Sequence, residues 1–207
     1  IFKAAREKGV DLAFEAAVGG CMPIIKTLRE ALVGNRITSM VGILNGTCNY
    51  ILTRMEEGST YEDALQEAQD NGYAEADPTG DVEGFDALAK VVILAKTVMG
   101  ADISTDDVDR TGITQISLDD VEAAKAEGKR WKLIGTLEPT DSGVTASVLP
   151  ERVPLAHPLA SVGGATNAVT YSTELLGDVT LVGPGAGRLE TGYSVLVDLL
   201  EIHRTSV

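Results

Sequence analysis

Aromatic side chains make up only 4% of this 207-residue chain: one Trp, three Phe and five Tyr. So small a set offers nothing resembling the stacking platform that holds single-stranded nucleic acid, and Trp131 reads as core or interface. Basic residues are scarce as well, with 17 Lys and Arg against 31 Asp and Glu. That balance argues against nucleic acid or an anionic membrane as a partner. Cysteine appears only as Cys21 and Cys48, without C-x-x-C spacing, which predicts a reducing, cytoplasmic setting. The two histidines, His157 and His203, lack ligand spacing and read as surface residues. The longest apolar stretch, ALAKVVILAKTVMG, is broken by Lys90 and Lys96 and is too short to cross a bilayer. Signal peptide, internal repeat and low-complexity linker are all missing from the pattern. An initiator Met is missing too. The opening IFKAAREKG reads as the tail of a helix ending at Gly9, so a preceding portion is expected.

What is present suits a globular domain, with 44% hydrophobic and 23% charged residues over a length that can bury a core. DLAFEAAV (11–18) reads as a buried strand closed by Gly19-Gly20. Pro23 suits the first turn of a helix with Ile24, Ile25, Leu28, Ala31 and Leu32 on one face. ITSMVGIL (37–44) is rich in β-branched residues and predicts a strand, with Thr47 capping a short helix after it. Ser59 and Glu62 have capping-box spacing for the next helix, which Gly72 stops. A long helix is expected from Asp81 to Met99, with Phe85, Leu88, Ala89, Val92, Ala95 and Met99 inward. Ser117 and Asp120 cap another helix that ends near Gly128. Two hairpins follow, WKLIGTLE with VTASVLPERV and NAVTYSTEL with VTLVGPG. The last segment is a helix whose apolar side carries Leu189, Val195, Leu196, Leu199 and Leu200. Strand–helix alternation followed by hairpins predicts an α+β fold, a mixed β-sheet covered by helices.

Charge concentrates in GYAEADPTGDVEGFDALAK (72–90), which holds Glu75, Asp77, Asp81, Glu83 and Asp86 before a single lysine, Lys90. A calcium loop starting at Asp77 fails, because Val82 stands where glycine is needed and Leu88 where the chelating glutamate is needed. Asp81 and Glu83 suit a helix N-terminus, where the dipole favours negative charge. Asp86 and Lys90 lie four apart on one helical face. Such spacing fits an ordinary ion pair, and equally a lysine held in a polar cleft to exchange a proton. Gly183-Pro184-Gly185-Ala186-Gly187 sits between a strand and a helix. A dinucleotide fingerprint counted from Gly183 meets Arg188 where its third glycine belongs. A tight turn, or a helix N-terminus offering N–H groups to an anion, remains. Glu15, in the apolar FEAAVGG, must be paired, hydrogen-bonded or near a cation. The glycines beside it allow carbonyls to converge on a monovalent or hard cation, against the plainer reading of a structural turn.

Taken in order, FEAAVGGCMPII, NGTCNYIL, GYAEADPTGDVEGFDALAK and GPGAG resemble homoserine dehydrogenase. The resemblance runs from about Leu12 to the last helix, and it implies the fold of that family's catalytic domain. It implies NAD(P)-dependent interconversion of L-homoserine and L-aspartate 4-semialdehyde, a step in threonine, methionine and isoleucine biosynthesis. Residues 1–18 would be the tail of a missing nucleotide-binding domain and a linking strand. Residues 19–187 would be the catalytic and dimerisation domain, and 188–207 a helix returning toward the nucleotide-binding domain. By resemblance, Lys90 donates or accepts the proton at the reacting oxygen. Glu75 and Asp86 hold the amino-acid substrate, and Thr47 lies where substrate and nicotinamide meet. Gly72 and the glycines Gly183, Gly185 and Gly187 contact the cofactor. Glu15, Val18, Gly20 and Met22 would hold a structural sodium ion, largely through backbone carbonyls. Cys21 stands where the family usually has glycine. A homodimer or higher homo-oligomer is implied. Two alternatives stay open: a dimerisation scaffold that lacks cofactor and activity, and a small-ligand or cation-binding module of another family.

Overall fold

The structure is a computed structural model and describes residues 1–20, 22–141 and 143–205; Cys21 and Ser142 lie outside these. Helix α1 (Phe2–Lys8) ends at Gly9 in the left-handed conformation, as the sequence predicts. The DLAFEAAV segment does not form a strand. It makes a short 3-10 turn, Glu15–Ala17. Its polar groups are satisfied elsewhere: the Glu15 N–H donates to Asp198 Oδ2, and the Glu15 carboxylate accepts from the N–H groups of Ile25 and Lys26. A strand ladder there would leave that buried carboxylate without those donors.

Helix α2 (Ile24–Lys26) continues as a π turn, Thr27–Ala31. It buries Ile24, Ile25, Leu28 and Leu32 while Ala31 stays exposed. Strand β1 (Ile37–Ile43) leads into α3 (Gly46–Glu56), and the cap is Asn45 rather than Thr47: its Oδ1 accepts from Cys48 N at 2.8 Å. Helix α4 (Tyr61–Asp70) is capped by Thr60 through Asp63 N, one residue later than the expected Ser59–Glu62 box. Gly72 ends it with φ 74°.

The expected single helix from Asp81 to Met99 is two. Helix α5 (Thr79–Val82) stops at Gly84, whose φ of 80° is a left-handed turn, and α6 (Phe85–Met99) restarts beyond it. The buried stripe of α6 is Ala87, Leu88, Val91, Leu94 and Ala95, while Phe85 and Ala89 point outward. Strand β2 (Val108–Arg110) and helix α7 (Leu118–Ala126) follow, the latter with the predicted Ser117–Asp120 capping box. The hairpins are β3 (Lys129–Thr140) with β4 (Gly143–Pro154), and β5 (Thr166–Thr173) with β6 (Gly177–Pro184). Helix α8 (Arg188–Thr205) closes the chain. Its Leu189, Val195, Leu196, Leu199 and Leu200 are exposed in this chain.

One six-stranded sheet, ordered β2-β4-β3-β1-β5-β6, carries everything else. It is mixed, because β2 runs parallel to β4 and the other pairs are antiparallel. Alternation along the strands sends Met40, Leu133, Leu137, Val169 and Tyr171 toward the main core beneath α3 and α6. Ile43, Ile134, Val153 and Ala168 join a smaller cluster under the 3-10 turn Pro158–Ser161. Gly135 controls how closely α6 approaches. A Cβ there would come within 2.9 Å of both Leu44 and Val91, so its absence lets α6 lie against the end of β1. Lys90, the neighbour of Val91, is thereby brought within reach of Leu44.

Candidate active site

At the C-terminal end of β1, where ladder pairing stops, the chain turns through Leu44-Asn45-Gly46 into α3. Four other segments meet it there: Asn71–Tyr73 after α4, Asp81 on α5, Asp86 with Lys90 on α6, and 165–167 at the start of β5. The glycine loop 183–187 after β6 completes a cleft of about 660 Å³. Of the residues singled out in the sequence, Thr47, Gly72, Asp86, Lys90, Gly183, Gly185 and Gly187 all line this one cleft. Glu75 does not. It lies exposed on the loop between α4 and α5, where its carbonyl accepts from Gln69 Nε2 at 3.0 Å.

The charged centre is a hydrogen-bonded chain. Lys90 Nζ donates to Asp86 Oδ2 at 2.7 Å and to the Leu44 carbonyl at 2.9 Å. The amide of Asn45 bridges two carboxylates, donating to Asp81 Oδ1 at 2.7 Å and Asp86 Oδ2 at 2.9 Å. Because Asn45 Oδ1 is taken by the helix cap, its Nδ2 must face the acids. Asp81 was expected to serve only as a helix cap; instead it faces this cluster. Burial raises its carboxyl above the ordinary value, the Asn45 donor opposes that, and the like charge of Asp86 adds to it. The Thr47 hydroxyl donates to the Tyr73 carbonyl at 2.7 Å, which ties α3 to the segment after α4. Cys48, fully buried, has its thiol pushed well up, first by burial and then by Asp81. It is a packed side chain with none of the thiolate character that nucleophilic work requires.

Glycine lines much of the cleft for a steric reason. A Cβ on Gly46 would strike the Ala165 carbonyl at 2.6 Å, and one on Gly185 would strike the Asn167 amide at 2.3 Å. The loop rests on the Glu15–Met22 turn, since a Cβ on Gly20 would come 2.4 Å from the Gly185 carbonyl and one on Gly183 2.9 Å from Met22 Cγ. In that turn Glu15 is buried and its carboxyl raised by desolvation, with the Ile25 and Lys26 N–H groups pulling it back. The Gly20 carbonyl accepts from the Ser194 hydroxyl, and the Met22 carbonyl from Ile24 N at 2.7 Å. Among the described residues no cluster of three His, Cys, Asp or Glu could hold a metal ion, and no helix is long and apolar enough to cross a membrane. His157 accepts from Leu159 N and caps a 3-10 turn, and His203 is exposed near the end of α8.

The model of the homoserine dehydrogenase family matches residues 23–200. The chain belongs to that family. An NAD(+)-dependent homoserine dehydrogenase of Pseudomonas canavaninivorans is 47% identical over 98% of this chain and 58% of its own length. The homoserine dehydrogenase of Bacillus subtilis is 46% identical over 96% of this chain and 46% of its own. This family member thus spans about half the length of the curated relatives it matches. Among solved structures, the homoserine dehydrogenase of Thiobacillus denitrificans superposes with a TM-score of 0.95, at 42% identity over 98% of this chain and 47% of that one. That of Staphylococcus aureus gives 0.85 at 40% identity, over 99% of this chain and 48% of that one. Membership in the homoserine dehydrogenase family disfavours the unrelated ligand-binding module.

Asn45, Asp81 and Asn167 make hydrogen bonds in this site and were given no site role from the sequence. Asn45 carries a signal, an Asx residue directly between a strand and a helix. Asp81 was absorbed by the capping pattern. Asn167 sits in a β-branched and apolar run and looks like one more strand residue.

Proposed function

We propose that this chain forms the substrate-binding and proton-transfer half of a nicotinamide-dependent homoserine dehydrogenase, interconverting L-homoserine and L-aspartate 4-semialdehyde in amino-acid biosynthesis. The observation that carries the reading is Lys90, anchored by Asp86 and the Leu44 carbonyl at the wall of a glycine-lined cleft. An ammonium has three N–H groups. Two are used as anchors, leaving one for a substrate oxygen. In the reducing direction Lys90 protonates the alkoxide that forms at the aldehyde carbon; in the oxidising direction the neutral amine takes the hydroxyl proton. Asp86 and Asp81, joined by Asn45, give the cleft negative charge that suits the substrate ammonium. Thr47 lies where substrate and cofactor would meet, and Glu75 would reach the substrate from its exposed loop.

The nicotinamide, NAD or NADP, supplies or removes the hydride when bound. Gly72, Gly183, Gly185 and Gly187 would contact it from the cleft wall. A nucleotide-binding region outside residues 1–207 would carry the rest of the dinucleotide, with 19–187 as the catalytic and dimerisation portion and 188–207 as the returning helix. A sodium ion would be held by the backbone carbonyls of Glu15, Val18, Gly20 and Met22. The Gly20 and Met22 carbonyl oxygens each keep a second lone pair beyond the hydrogen bond they accept, whereas the Glu15 carboxylate is already occupied by two N–H groups. A cytoplasmic homodimer or larger homo-oligomer completes the reading.

The test is an assay of the intact protein that carries this chain, with L-homoserine and either NAD+ or NADP+, following formation of reduced nicotinamide. Turnover dependent on homoserine is expected. Its absence with both cofactors would overturn the reading.

A further inference from the structure

We propose that Asn167 is a positioning residue for the proton-transfer lysine: by holding the Leu44 carbonyl, it fixes where the Lys90 ammonium can stand. This rests on the reading of Lys90 given above. Leu44 lies just past the end of β1, so its carbonyl is outside the strand ladder. Two side chains converge on it from opposite elements. Lys90 Nζ comes from α6 at 2.9 Å and Asn167 Nδ2 from β5 at 3.0 Å. Both lone pairs of that oxygen are thus occupied, and its direction is set.

The rest of the Asn167 amide argues for function over packing. Since the Leu44 carbonyl can only accept, Nδ2 must face it and Oδ1 must face away. Asn167 is 1% exposed, and its Oδ1 is buried without a hydrogen-bond partner among the described residues. An orphaned buried acceptor is costly, and an apolar residue of similar size would avoid it. The Oδ1 lies between two cleft-lining glycines: a Cβ would come within 3.2 Å of it from Gly46 and 2.6 Å from Gly185. Asn167, Gly46 and Gly185 line the same cleft, where substrate and cofactor would meet. Among the described residues, Lys90 and Asn167 are the two side chains that donate to the Leu44 carbonyl. The neighbouring Asn45 spends its amide on Asp81 and Asp86.

The experiment compares Asn167→Asp, nearly isosteric but without the donor, and Asn167→Ala, each alone and combined with Lys90→Ala. In otherwise wild-type intact protein, kcat for homoserine oxidation falls on the order of 100-fold while KM changes little. The solvent deuterium isotope effect on kcat rises as proton transfer becomes limiting. In the Lys90→Ala background the same substitutions cost nothing further, because Asn167 acts through Lys90. Full, additive loss in that background would overturn the proposal. So would an unchanged kcat, or loss of the thermal unfolding transition in both single variants, which would assign Asn167 to folding. Inactivity of the wild type would instead strike the functional reading, so the two failures are distinguishable.

Discussion

Lys90 and Lys132 are both withdrawn from bulk solvent, and they are held in opposite ways. Lys132, on β3, is 1% exposed and donates to Asn49 Oδ1 at 2.9 Å and the Val162 carbonyl at 2.6 Å. Asn49 in turn donates to carbonyls of Val162, Gly164 and Thr166. The whole arrangement pins the loop before β5 onto α3, and no carboxylate among its hydrogen-bond partners compensates the charge. Burial therefore lowers Lys132 to about 8 from an ordinary 10.5. Lys90 has a carboxylate partner, Asp86, and its side chain keeps 17% exposure toward a cleft. Burial depth does not mark the lysine proposed for proton transfer. What sets Lys90 apart is a carboxylate partner and a place in the wall of the cleft.

The sharpest way to break this contrast is Lys90→Ala in the intact protein. Turnover is expected to fall about a thousandfold, with far less change in KM, because a general acid–base group is lost. An equal loss from Lys125→Ala, an exposed lysine on α7, would remove the distinction. Next in size is Lys132→Ala, which removes the donor to Asn49 Oδ1 and one of the two donors to the Val162 carbonyl. It should cost about 3 kcal/mol of stability in denaturant unfolding, while kcat per folded molecule changes much less.

A third measurement follows the pH dependence of the two. With its folded value below its unfolded value, Lys132 binds more protons unfolded than folded between about pH 8 and 10.5. Stability of wild type relative to Lys132→Met should therefore rise with pH across that window, by up to about 3 kcal/mol. A flat or falling difference would show that the ammonium is stabilised where it sits. The smallest effect concerns Glu75. Its removal as Glu75→Gln should raise KM for homoserine about tenfold, or 1.4 kcal/mol, with kcat nearly kept. No change in KM would leave substrate binding to the inner cluster alone.

Much of the scaffold could be read from local pattern. The alternation in β1 and both hairpins, the Ser117–Asp120 box and the glycine stops at Gly9 and Gly72 are short-range features, and the structure keeps them. AFEAAV failed because a short apolar run fits strand and helix alike, and the deciding partners are Asp198, Ile25 and Lys26. The expectation of one helix from Asp81 to Met99 passed over Gly84, whose positive φ splits α5 from α6. Asp81 lies in the first turn of α5, and its carboxylate accepts from Asn45 Nδ2. The acid-rich block 72–90 was conspicuous in one dimension, but its division was not: Asp86 and Lys90 enter the cleft while Glu75 stays on the surface.

By itself the sequence determined the α+β pattern, the family and the pairing of Asp86 with Lys90, because periodicity, motif and i,i+4 spacing are properties of neighbouring residues. Only the tertiary structure decided that Asn45, Asp81 and Asn167 share the site. Their hydrogen bonds join residues 36, 41 and 123 positions apart. Such partners meet only when β1, β5 and α6 are packed around a glycine that lets them close.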